Sequence, residues 1–161
     1  MKPVIFGIIG AGRIGKLHAD NLLSHVKNAK LKTVTDPFLD EEWAASRNIP
    51  VTGQDHRIML DDPEIDAILI GSPSPEHAAQ MIECARAGKH IFCEKPIALD
   101  PDIIRNALAE VEKSGVKLPV GFNRRFDPNF AAVQEQIATG ALGELHIIRI
   151  TSRDPAPPPA E

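Results

Sequence analysis

One stretch, Gly10, Ala11, Gly12, Arg13, Ile14 and Gly15, constrains this chain more than any other. It follows directly on an apolar run at 4–9 and opens a segment whose apolar residues recur at three and four positions, so a strand must turn into a helix within it. Gly10 permits the tight turn. Gly12 removes a Cβ from the side where a ligand's backbone would approach, and Gly15 allows the helix to pack on the strand. The amide groups of the helix N-terminus, those of Arg13 and Ile14 among them, then point at a space suited to an anion.

Glycine turns of this kind also occur as plain strand-to-helix turns. The second half of the pattern decides between them: Asp36 closes the next apolar run, 21 residues beyond Gly15. A carboxylate there can accept hydrogen bonds from adenosine ribose hydroxyls, so the pair reads as a dinucleotide-binding fingerprint. The same carboxylate would repel a 2′-phosphate, and the next residue, Pro37, brings no positive charge, which favours NAD over NADP. Asp36 also has a plainer reading, as the first residue of the turn ahead of the next helix, where Asp before Pro is common.

Short β-rich runs alternate with helical segments along the chain, the rhythm of a parallel sheet covered by helices. Candidate strands lie at 4–9, 31–35, 51–52, 67–70, 90–93 and 118–121, and candidate helices at 13–24, 40–47, 56–60, 75–87 and 101–114. The fold class expected is α/β, a doubly wound parallel sheet of the Rossmann kind. Asp100 ahead of Pro101 marks a helix start, and Gly88 after Ala87 a stop. The pattern changes after Phe122. Residues 1–123 are read as the dinucleotide-binding domain, and 124–161 as the start of a second, α+β domain, with a helix at 127–139 and a long strand at 144–152 alternating around Leu145, Ile147 and Ile150. The proline-rich tail at 154–161 continues neither element.

Charge and composition narrow the partners. With 18 Lys and Arg against 22 Asp and Glu, the net charge of −4 disfavours a nucleic acid partner. The longest apolar run near the start is far too short for a bilayer span. Cys84 and Cys93 form neither a disulfide framework nor a CxxC metal site, so no metal is expected, and the reducing cytoplasm is the default compartment.

Two further loops sit at carboxyl ends of strands, where open α/β sheets bind ligands. After the fourth strand come Ser72, Pro73 and His77; the loop's backbone and hydroxyl groups could hold the nicotinamide ribose, while His77 is read as packing between loops rather than as catalytic. After the fifth come Glu94, Lys95 and Pro96, with Lys95 available to meet a substrate hydroxyl or to stand as a solvated lysine.

Four ordered motifs, GAGRIGKLHADNL, AILIGSPSPEHA, GKHIFCEKPIALD and GFNRRFDPNF, resemble the Gfo/Idh/MocA oxidoreductase family, which includes glucose-fructose oxidoreductase and inositol 2-dehydrogenase. The segment GELHIIRITSRDPAPPP is similar in particular to bacterial inositol 2-dehydrogenases. The resemblance implies hydride transfer from a ring hydroxyl of a cyclitol or sugar to NAD. It makes Lys95 the catalytic residue at the reacting hydroxyl, gives Pro96 a cis peptide bond, and has Glu94 orient Lys95 or the cofactor. Gly10, Gly12, Arg13, Ile14, Gly15, Asp36, Ser72, Pro73, His77, Glu94, Lys95 and Pro96 are thus the expected cofactor contacts. Asn123, Arg124 and Arg125 join Lys95 as expected substrate contacts, or else form a charged hinge surface. Members of the family run to more than twice this length, and their second domain supplies an aspartate and a histidine. The 161 residues are therefore expected to bind NAD with little or no turnover; a non-catalytic NAD-binding module for sensing or interaction is the alternative. The unpaired strand at 144–152 leads us to expect a homo-oligomer.

Overall fold

The computed structural model describes residues 2–153. Its compact units divide after Phe122. The first is a five-stranded, all-parallel sheet, β1 Val4–Ile9, β2 Ala29–Thr35, β3 Val51–Gly53, β4 Ala67–Ile70 and β5 His90–Cys93, in the order β3-β2-β1-β4-β5. The strands are joined by α1 Arg13–Ser24, α2 Glu41–Ser46, α3 Arg57–Leu60 and α4 His77–Arg86, with a 3₁₀ turn at Ser74–Glu76, and α5 Pro101–Ser114 follows β5.

The central strands are buried on both faces, as parallel strands under two helical layers must be. Their alternation sends successive side chains to opposite cores. Ile9, Ile68 and Ile70 join Met81, Cys84 and Val111 of α4 and α5, whereas Ile8 and Leu69 join Ala19 and Leu22 of α1 with Val34. Ile8, Ile68 and Ile70 are fully inaccessible, and each such side chain contributes about 1.5–3 kcal/mol by leaving water.

Two sequence expectations need correction. Residues 118–121 do not form a sixth strand, only an isolated parallel bridge between Cys93 and Val120. The chain does run beside β5: the Ile91 and Cys93 N–H groups donate to the carbonyls of Lys117 and Pro119 at 2.8 and 3.1 Å. Pro119 has no N–H to donate, which interrupts the ladder.

The second unit contains a 3₁₀ turn, Asn123–Phe126, and α6, Pro128–Ala138. Asp127 caps α6, its Oδ1 accepting from the Asn129 and Phe130 N–H groups. The long strand expected at 144–152 is absent, and residues 145–153 are neither helix nor strand. A strand cannot satisfy its own backbone groups, and the described part of this unit offers no strand to pair with. The tail at 154–161 lies outside the described residues.

Candidate dinucleotide site

The chain order reverses at β1, which has β2 on one side and β4 on the other. At the carboxyl ends of these strands lies a crevice of about 620 Å³ lined by Gly10, Gly12, Arg13, Ile14, Asp36 and Ser72 among others. This is the switch point at which open α/β sheets take their ligands.

The glycine turn shapes its floor. Gly10 has φ +89°, in the region other residues avoid, and its N–H donates to the Thr35 carbonyl at 2.8 Å. A Cβ on Gly15 would stand 1.9 Å from the Gly10 carbonyl oxygen, so the helix meets the turn only through a glycine. Gly12 differs: a Cβ there would meet nothing within 4 Å. Packing within the protein leaves that space open, over first-turn amides that have neither intrahelical partners nor a side-chain cap. The turn is therefore a cradle suited to a pyrophosphate.

Asp36 makes the turn that its plainer reading expects. Its Oδ1 accepts from the Phe38 N–H at 2.8 Å, which makes the turn after β2, and its Oδ2 accepts from the Ala11 N–H at 2.7 Å, which ties that turn to the glycine loop. A carboxylate has about four acceptor positions, so acceptor capacity is left for ribose hydroxyls. Next to it the buried Thr35 Oγ1 has no hydrogen-bond partner. Lys16 is not a free cation for the cleft: its ammonium lies 2.7 Å from Asp40 and, with the Trp43 N–H, holds the Asp40 carboxyl below its usual range.

Ser72, Pro73, Glu76 and Gln80 line the other wall, with the Ser72 Oγ donating to Gln80 Oε1 at 2.6 Å. His77 does not line the crevice. It is 1% exposed, with Nδ1 2.7 Å from the Pro96 carbonyl and Nε2 2.8 Å from the Ser72 carbonyl, and so packs between the two loops. That is the packing between loops read for it from the sequence. Glu94, Lys95 and Pro96 lie beyond the crevice lining, at the end of β5, where Glu94 is half-buried and Lys95 exposed; the Lys95–Pro96 peptide is cis. Burial pushes the thiols of Cys84 and Cys93 up to about 12.

Asn123, Arg124 and Arg125 belong to the second unit and are exposed there, the Arg124 guanidinium 4.8 Å from the ring centre of Phe130. Sequence reasoning missed Thr35, Gln54 and Gln80 as cleft residues and His18 as the partner of Glu94. Only Gln80 left a local signal, one helical turn after Glu76.

A switch-point crevice with a glycine cradle and an acidic residue at the end of β2 defines a dinucleotide-binding fold. The chain belongs to the oxidoreductase family with the NAD-binding Rossmann fold, whose pattern matches residues 4–122. It is 48% identical over 159 residues to the uncharacterized oxidoreductase YrbE of Bacillus subtilis, covering 98% of this chain and 46% of that protein. It is 41% identical over 157 residues to the myo-inositol 2-dehydrogenase of Thermotoga maritima, covering 96% and 47%. A solved structure of scyllo-inositol dehydrogenase from Lactobacillus casei, with bound NAD(H) and scyllo-inositol, superposes with a TM-score of 0.83 at 33% identity, covering 89% of this chain and 43% of that one. The chain spans about half the length of the curated relatives it matches.

Proposed function

We propose that this chain is the NAD-binding part of an inositol 2-dehydrogenase-like oxidoreductase, acting on a ring hydroxyl of a cyclitol or sugar. The observation that carries the reading is the Asp36 carboxylate, fixed by the Ala11 and Phe38 N–H groups at the mouth of the glycine cradle. The relatives at 41% and 33% identity support the substrate class. When bound, the nicotinamide supplies the hydride acceptor. The amides of Gly12, Arg13 and Ile14 hold the pyrophosphate on the turn that Gly10 and Gly15 shape, Asp36 takes the ribose hydroxyls, and the Ser72 and Pro73 loop faces the nicotinamide half. Lys95 meets the reacting hydroxyl, where a cation lowers the cost of alkoxide character, and Asn123, Arg124 and Arg125 contribute to substrate binding.

Calorimetric titration of the chain with NAD, NADP and a flavin dinucleotide tests the reading. NAD is expected to bind tightest, and Asp36→Ser to narrow the gap to NADP; equal affinities of the unaltered chain would overturn the role of Asp36. A polypeptide of these 161 residues is expected to reduce NAD with myo-inositol slowly or not at all. Acid-base groups supplied by a second domain typically contribute about 10²–10⁴ in rate, and robust turnover by the purified polypeptide would place the base within it. A homo-oligomer is part of the proposal, supported by the exposed Leu145, Ile147 and Ile150, with light scattering across a dilution series as its test. Buried free thiols favour a cytoplasmic setting; no described helix is long and apolar enough to cross a membrane.

A further inference from the structure

The turn carrying Lys95 is gripped on both flanks by histidines from other elements. From α1, His18 Nε2 lies 2.8 Å from Glu94 Oε1, with the two side chains only 20% and 14% exposed. The His18 ring also stands edge-on to Phe92, centroids 5.3 Å apart, which fixes its direction. The other carboxylate oxygen, Glu94 Oε2, accepts from the Lys95 N–H at 3.2 Å. Behind that carboxylate there is no slack, because a Cβ on Gly121 would stand 2.9 Å from Glu94 Cδ. From α4, the buried His77 is packed between the carbonyls of Ser72 and Pro96, so the residue after Lys95 sits against the wall of the cofactor crevice.

These contacts act on Lys95 through its neighbours. Glu94 left free could fold onto the adjacent ammonium and quench it; the His18 ring at Oε1 and the Lys95 N–H at Oε2 hold the carboxylate in place instead. Among the described residues no carboxylate pairs with the Lys95 ammonium. A lysine side chain has four rotatable bonds, so the backbone that bears it sets the volume its ammonium can sample. We propose that His18 and His77 are positioning residues that keep the Lys95 ammonium unpaired and aimed at the nicotinamide end of the crevice. The proposal rests on the reading of Lys95 given above. Errors of about 1 Å in such a group can cost about 10² in rate, which is why the turn is held from two sides.

The test follows two signals during an NAD titration of the full chain: the Lys95 Cε resonance in lysine-labelled protein, assigned with Lys95→Arg, and the Gly12 amide. In the unaltered chain both are expected to move together. In His18→Ala the Gly12 response should persist at the same NAD concentration while most of the Lys95 shift is lost, and His18→Gln, which keeps a donor near the position of Nε2, should restore it. His77→Ala should behave like His18→Ala, with His77→Asn, which keeps a donor near Nδ1, in between; if the buried variants do not fold, the His18 pair decides. A Lys95 signal that responds alike in both His18 variants overturns the proposal, as does a silent Lys95 beside a responding Gly12. A silent Gly12 amide in the unaltered chain overturns the cofactor reading itself, and the proposal with it.

Discussion

The helices α5 and α6 begin in the same way and end up in very different surroundings. Each starts with Asp-Pro, at Asp100 and Pro101 in one and Asp127 and Pro128 in the other, and in each the aspartate side chain accepts from first-turn N–H groups. Yet α5 buries Ala107 and Val111 in the core it shares with α4, whereas from Asn123 to residue 153 no side chain is buried. The local instructions for a helix are therefore sufficient on their own terms. A helix closes its hydrogen bonds within itself, so capping and spacing define its span even where its side chains stay exposed. The aliphatic residues at 144–152 suit a strand, but a strand without a neighbour has nothing to close onto.

The largest way to sharpen this contrast is to remove the same side chain from both units. Ile68→Ala should cost about 2–5 kcal/mol by denaturant unfolding, since a fully enclosed isoleucine leaves a cavity. Ile147→Ala, at a residue 87% exposed, should shift the same midpoint by less than about 0.5 kcal/mol. A comparable loss in the second variant would show that Ile147 is covered in solution.

Alkaline pH should act on the first unit alone. Below pH 9.0, the ordinary thiol value, Cys84 and Cys93 are protonated in both states and contribute nothing to the pH dependence. Between there and about 12 the unfolded thiols ionise while the buried ones do not, so the unfolded state gains and stability falls as pH rises. Unfolding midpoints measured from pH 8 upward should begin to fall near pH 9.0, and Cys84→Ala with Cys93→Ala should flatten that slope. The same buried thiols should resist iodoacetamide in the native chain and react on unfolding.

Binding and folding separate at the glycine turn. Gly12→Ala adds a methyl into open space and should leave the unfolding midpoint nearly unchanged, while weakening NAD in calorimetry because the methyl occupies the cradle. Gly15→Ala drives a Cβ into the Gly10 carbonyl and should lower both stability and binding. Equal losses at the two positions would contradict the assignment of Gly12 to ligand approach.

Residues whose role is set by their sequence neighbours were legible beforehand. The spans of α1 and α5, the turn at Gly10 and the dual possibilities of Asp36 all follow from local spacing and capping. Residues whose role depends on a distant partner were not. His18 looks like an ordinary helix-face histidine until β5 brings Glu94 to it across 76 positions of chain. Residues 118–121 look like a sixth strand, and only their pairing with β5 shows that Pro119 interrupts the ladder. His77 sits on the border: its position at the start of α4 was visible, but its two carbonyl partners come from separate loops.

The finest form of the comparison lies in the two caps. Asp100 Oδ1 accepts from the Asp102 N–H at 2.7 Å, and Asp127 Oδ1 accepts from the Asn129 N–H at 2.9 Å and the Phe130 N–H at 3.3 Å. Replacing a capping aspartate with alanine costs a helix about 0.5–2 kcal/mol. Because α5 is packed into the core, Asp100→Ala should pass that cost to the whole first unit and lower its unfolding midpoint. Because α6 buries nothing, Asp127→Ala should fray α6 locally, raising amide exchange over 128–131 while the cooperative midpoint stays where it was. A global shift from Asp127→Ala equal to that from Asp100→Ala would show that α6 folds as one cooperative body with the sheet, and the distinction between a helix made by its sequence and a helix held by its core would then fail for this chain.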